Sequence, residues 1–145
     1  MKYTIELAKK AFEKGDVPVG AIVVKNGDII GEGHNEKEIF KDPTMHAELI
    51  ALKNAAKYVG DWRLNDCTLY STLEPCIMCA GAILHFRIQR VVFGVTEPKF
   101  GGVVTKAALF DIDTLNHKVR YSVGIFEEEI KELMKRFFKK RRKSD

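Results

Sequence analysis

A chain of 145 residues is long enough to build one domain around a core that needs no disulfide staples. With 46% hydrophobic and 30% charged residues the composition excludes a disordered chain, and the lack of an apolar run of about eighteen residues argues against a membrane-spanning helix. The net charge of +4 is uneven: eight basic and two acidic residues fall in Lys131–Asp145, so this end carries the whole positive excess, a pattern that suits a polyanionic partner.

The first residues, Met1-Lys2-Tyr3-Thr4-Ile5-Glu6, bring an acid early and no long apolar stretch. They do not read as a secretory signal, and a cytoplasmic protein is expected. Ile5, Ala8 and Phe12, with Leu7 and Ala11 beside them, recur at helical spacing, and Gly15 ends that helix. Val19–Val24 reads as a strand, Asn26-Gly27 as a type I′ hairpin turn, and Asp28–Gly33 as the returning strand. A charged loop leads through Asp42-Pro43 to Thr44, a good N-cap for a helix whose stripe is Met45, Leu49, Leu52, Ala56 and Val59, closed by Gly60-Asp61. Cys67–Thr72 is a third strand. Pro75 suits the first position of a helix across Cys76–Phe86. Arg90–Val95 is a fourth strand, followed by a glycine-containing loop over Thr96–Gly102, a short helix over Val103–Phe110 and a fifth strand over Tyr121–Ile125. A basic C-terminal helix over 127–143 shows Ile130, Leu133, Met134, Phe137 and Phe138 on one stripe. Helices alternating with strands predict one three-layer α/β/α domain over 1–145, built on a mixed five-stranded sheet.

Two short clusters carry the chemistry: His46-Ala47-Glu48, and Pro75-Cys76-Ile77-Met78-Cys79 beginning 27 positions after Glu48. One imidazole and two thiols make three zinc ligands and leave one tetrahedral position open, as in catalytic rather than structural sites. Cys76 and Cys79, three apart, share a helix face, and at a helix N-terminus their thiolates are favoured. His46 and Glu48, two apart, would diverge on a helix flank, so they converge only if the metal lies ahead of that helix. Two thiolates neutralise Zn2+, so an attacking water needs help with its proton. Glu48 is the shuttle rather than a fourth ligand, and the reaction class is hydrolytic attack on an electron-poor carbon with nitrogen leaving.

Other readings compete. A structural zinc site would need a fourth donor from Cys67, His34, His85 or His117, and Cys67 reads more simply as a small buried hydrophobe. A thioredoxin-like redox pair leaves the His-x-Glu cluster unexplained. The basic run Lys139–Lys143 fits a solvated helix end as well as a phosphate-binding track. Of Phe137 and Phe138, at least one belongs to the core, and an exposed one could stack on a base.

The two clusters match H-x-E…P-C-x-x-C, and on them the chain resembles the cytidine/nucleotide deaminase superfamily. It is more narrowly similar to the bacterial tRNA-specific adenosine deaminases, through Val17-Pro18-Val19-Gly20-Ala21, Gly31-Glu32-Gly33-His34-Asn35, Asp42-Pro43-Thr44, Thr72-Leu73-Glu74-Pro75-Cys76, Arg87-Ile88, Gly101-Gly102, Leu115-Asn116-His117 and Phe137-Phe138. The resemblance implies a cytidine-deaminase-like fold and conversion of adenosine to inosine at the anticodon wobble position, by attack of water on C6 with loss of ammonia. It implies one zinc per subunit on His46, Cys76 and Cys79, Glu48 as proton carrier, and a base contact from Asn35, otherwise a strand-end turn residue. The Ala47 backbone N–H is suited to a second contact with the base. It further implies a homodimer, with no membrane association, that takes a tRNA anticodon stem-loop. Lys99, Asn116, Phe138, Arg141 and Arg142 are candidate RNA contacts. Glu97 stands where that family more often carries Asp. The alternatives are a deaminase of free bases or nucleosides such as guanine or cytosine, and a non-catalytic zinc protein that binds RNA.

Overall fold

The computed structural model describes residues 1–144; Asp145 lies outside them, as do the side chains of Lys143 and Ser144. In chain order the elements are α1 (Lys2–Glu13), β1 (Gly20–Lys25), β2 (Asp28–His34), α2 (Lys37–Phe40), α3 (Ala47–Val59), β3 (Thr68–Leu73), α4 (Ile77–His85), β4 (Arg90–Val95), β5 (Arg120–Val123) and α5 (Glu127–Ser144). The sheet order is β2-β1-β3-β4-β5, antiparallel among β2, β1 and β3 and parallel from β3 through β5. The expected mixed five-stranded sheet is therefore present. The hairpin turn has Asn26 and Gly27 both at positive φ, 51° and 83°, as a type I′ turn requires.

Alternation along the strands sorts the two faces. Ala21 and Val23 of β1 and Val91 and Phe93 of β4 join the core under α3 and α4, together with Ala51, Leu52, Ala80 and Ile83. The opposite face is covered by α1 and α5. Glycines let the helices come down onto the sheet: a Cβ on Gly33 would stand 2.6 Å from the Ala47 carbonyl oxygen, and one on Gly31 would collide with the backbone of Ala51 and Ala55. These two residues seat α3 against β2.

Several local expectations are corrected. Helix α3 starts at Ala47 with His46 as its N-cap; Thr44 is exposed, and its N–H and hydroxyl donate to Asp42 Oδ1 at 2.9 and 2.7 Å in a turn of its own. Met45 thus precedes the helix, and Val59 lies at its solvent end, 37% exposed. Likewise Cys76, not Pro75, borders α4, because Cys76 itself is extended and the helix begins at Ile77. Val103–Phe110 is not a helix but a series of turns ending in a 3-10 turn at Leu109–Asp111. Its leading N–H groups bond to the Glu74 carboxylate instead of to a preceding turn. The fifth strand is shifted to Arg120–Val123, since Gly124 at φ 102° breaks it before Ile125. The short α2 has no counterpart in the sequence pattern.

Strand directions bring the chemistry to one end. Gly20 pairs with His34, and Ala21 with Ser71, so the start of β1, the end of β2 and the end of β3 lie together with the end of β4. The N-termini of α3 and α4 follow from that same end. Gly33→Ala should lower stability by about 1–3 kcal/mol through forced displacement of α3, which denaturant unfolding would measure.

Candidate active site

His46 has extended backbone, φ −84° and ψ 147°, which throws its ring ahead of α3. Glu48, in the first turn of the same helix, is 3% exposed. The geometric difficulty of a His-x-Glu pair disappears because only Glu48 is helical. Cys76 occupies the equivalent extended position before α4, φ −69° and ψ 174°, and Cys79 is buried in its first turn. His46 Nδ1 lies 3.7 Å from Cys76 Sγ and 3.6 Å from Cys79 Sγ. All three donor atoms lie within 4.8 Å of one another, and among the described residues this is the one such cluster. Cys67 stays out of it, buried, with its thiol directed to the Asn65 carbonyl.

These distances suit zinc. Tetrahedral coordination with Zn–S of about 2.3 Å and Zn–N of about 2.0–2.1 Å sets imidazole nitrogen and thiolate sulfur about 3.6 Å apart. Two soft donors and one imidazole form a donor set that zinc prefers over harder cations. His46, Cys76 and Cys79 could hold the ion with Glu48 beside it.

Charge within the cluster is shared. A hydrogen bond from Cys79 holds Cys76 at about 4, against the opposing effect of burial, with His46 adding to the stabilisation. Cys79 moves the other way, pushed up by that same bond, by burial and by the Glu48 carboxylate. The Cys76 thiolate raises His46. Burial pushes Glu48 up to about 7, although the nearby His46 pulls it down. Without metal, therefore, the two sulfurs share one proton, with charge favoured on Cys76.

Asn35, at the end of β2, is 7% exposed, and its Oδ1 accepts the Ala47 N–H at 2.8 Å. The expectation of a free Ala47 N–H is thereby corrected: that donor is already used. The pairing leaves the Asn35 side-chain amide nitrogen as the donor available to a ligand.

The candidate RNA contacts separate into groups. Lys99, Phe138 and Arg142 line one groove of about 800 Å3 between the loop after β4 and α5, floored by Leu73 and Val95 at the reactive end of the sheet. Phe138 is 43% exposed there, whereas Phe137 is buried with its ring edge-to-face on Phe12 at 5.6 Å. Arg141 lies outside the groove and pairs with Glu38 at 3.9 Å. Asn116 is not brought to this end: neighbouring His117 donates to the Ile88 carbonyl at 2.6 Å, ahead of β4, and Arg120 pairs with Arg90 at the start of that strand. Lys131 and Lys135 also line the groove and were missed, although with Phe138 and Arg142 they fall at i, i+4, i+7 and i+11. Glu74 was missed too. Only 1% exposed, it accepts several loop N–H groups, which outweigh burial and hold its carboxyl below the usual range.

The MafB19-like deaminase family profile matches residues 1–142. Relatives named tRNA-specific adenosine deaminase include one from Aquifex aeolicus, 49% identical over 98% of this chain and 93% of its own. Another, from Haemophilus influenzae, is 48% identical over 98% of this chain and 83% of its own. A solved structure from a study of A-to-I editing by tRNA:A34 deaminases superposes with TM-score 0.88 at 36% identity, covering 92% and 96% of the two chains. The guanine deaminase of Bacillus subtilis superposes with TM-score 0.63 at 42% identity over 66% and 61%. Fold and donor cluster together define a nucleobase deaminase of the cytidine-deaminase-like class. The chain belongs to the MafB19-like deaminase family and, within it, to the tRNA-specific adenosine deaminases.

Because the cysteine pair keeps a proton and His46 is raised toward its protonated form, zinc added to metal-free protein at neutral pH should release about one to two protons per ion. Calorimetry in buffers of different ionisation enthalpy would count it, and zinc affinity should weaken as pH falls.

Proposed function

We propose that this chain hydrolytically deaminates adenosine to inosine at the wobble position of a tRNA anticodon, as a cytoplasmic homodimer with one zinc ion per subunit. The observation that carries this reading is the meeting of His46, Cys76, Cys79 and buried Glu48 where α3 and α4 begin. The names borne by its relatives supply the substrate.

His46, Cys76 and Cys79 would hold the metal, which when bound supplies the Lewis acidity that brings water to a pKa of roughly 7. Glu48 takes the proton of the water whose oxygen attaches to C6 of the adenine. It then delivers a proton to the departing N6 amino group, so the C6–N6 bond breaks, ammonia leaves and inosine remains. A carboxyl held near 7 is present in both forms at neutral pH, as a group that first accepts and then donates requires. Asn35 offers its amide N–H to an acceptor on the base, and Ala47 contributes by fixing the Asn35 oxygen. Lys99, Phe138 and Arg142 bind the anticodon loop in the groove, cations on phosphates and the ring on a base. Arg141, paired with Glu38, takes part only at the periphery, and Asn116, at the other end of β4, has no place in this reading. Ile77 and Met78, apolar and exposed on α4 at 47% and 39%, support contact with a second copy.

A free-purine deaminase is the second reading, favoured by the likeness to guanine deaminase. The cationic stripe on α5 speaks for the polymer. Incubation with an anticodon stem-loop and with free adenosine or guanine separates the two; efficient turnover of the small substrate would reverse the choice.

Glu48→Ala should retain zinc and RNA while losing at least about 10²–10⁴ in inosine formation, scored by A-to-G changes on sequencing treated tRNA. Truncation after Phe138 should weaken RNA binding and flatten the slope of its salt dependence by about 0.7 for each phosphate no longer neutralised, with zinc content unaltered.

A further inference from the structure

Glu74 touches neither the donor cluster nor solvent, yet it is the most heavily bonded side chain near the site. Its Oε1 accepts the Glu97 N–H at 2.9 Å and the Thr105 hydroxyl. Its Oε2 accepts three N–H groups, from Val103 at 3.1 Å, Val104 at 2.7 Å and Thr105 at 3.1 Å. The loop from Glu97 to Thr105 wraps this one carboxylate. Gly101 completes the wrap: a Cβ there would stand 2.6 Å from the carboxylate atoms. The same loop is stitched to the start of α4, with Ile77 N–H donating to the Phe100 carbonyl and Gly102 N–H to that of Pro75, both at 2.9 Å. On its outer side it presents Lys99 and Phe100 to the groove.

We propose that Glu74 is a positioning residue for substrate: its carboxylate shapes the 97–105 loop so that the groove wall stands in fixed register with the reactive helix ends. It acts in RNA binding and takes no part in bond breaking. Ordering the wall beforehand removes an entropic cost that RNA would otherwise meet on binding. The inference rests on the proposed tRNA reading.

Glutamine is the sharpest replacement. In either amide orientation its NH2 group faces an N–H donor, that of Glu97 on one side or those of Val103, Val104 and Thr105 on the other. Gly101→Ala perturbs the same carboxylate from the loop side without changing charge. Kinetics on a zinc-loaded enzyme with an anticodon stem-loop provide the test, the wild type first. A wild type that forms no inosine ends the tRNA reading itself. With an active wild type, Glu74→Gln and Gly101→Ala should each raise KM about tenfold, leave kcat within about twofold and keep one zinc per chain. Thr105→Val, which removes one donor of five, should raise KM less. If Glu74→Gln does not fold, Gly101→Ala decides. An unchanged KM, a fall confined to kcat, or loss of zinc would overturn the inference.

Discussion

A thiolate beside a second sulfur and a buried carboxylate needs compensation, and here it comes from the ends of helices. Cys76 and His46 each stand one residue before a helix, where unpaired backbone N–H groups and the aligned peptide dipoles favour negative charge. The extended backbone at both positions also aims the two side chains outward along the helix axes. The donors can therefore meet at 3.6–3.7 Å, although they come from segments thirty residues apart. A cluster built on helix flanks would have sent His46 and Glu48 different ways.

Close packing holds those helix ends in place. Gly31 and Gly33 allow α3 to lie on β2 almost backbone to backbone, and the start of that helix is further pinned by Asn35 Oδ1 on the Ala47 N–H. Since Asn35 follows directly from β2, one hydrogen bond ties the sheet edge to the start of α3 and orients the Asn35 side-chain amide. On the other side, β3 runs into Glu74-Pro75-Cys76 without a loop. Cys76 is thus placed by the sheet, and the loop after β4 is placed by Glu74. Rigid strands set the reactive atoms, and a buried carboxylate gives a surface loop the order that its own backbone does not supply.

The surface around the site is divided in the same manner. The groove between α5 and the loop after β4 gathers cations, interspersed with Glu97, Glu128 and Glu132, and the exposed rings of Phe100 and Phe138 beside the reactive end of the sheet. Helix α5 begins with Glu127, Glu128 and Glu129 and ends in bases, so its charge also complements its own dipole. Its phenylalanines split by one residue: Phe137 fills the core against Phe12, and Phe138, about 100° further round, faces the groove.

The His46, Cys76 and Cys79 cluster and most of the element order were legible in the chain itself, because ligand chemistry depends on side-chain type and periodicity reports which face is buried. So were the hairpin turn and the mixed sheet. Helix starts at Thr44 and Pro75 were misplaced, since an Asx turn and an extended cysteine compete locally with capping, and only packing selects the winner. The role of Glu74 was hidden, as its partners lie 23 to 31 positions away. Asn116 shows the same limit: a residue that shares a motif's composition can stand at the far end of a strand from the rest of the site. Local sequence determined which groups exist and the elements that carry them. Which groups share a site was decided by strand direction and by helices closing on glycine, interactions between residues distant along the chain.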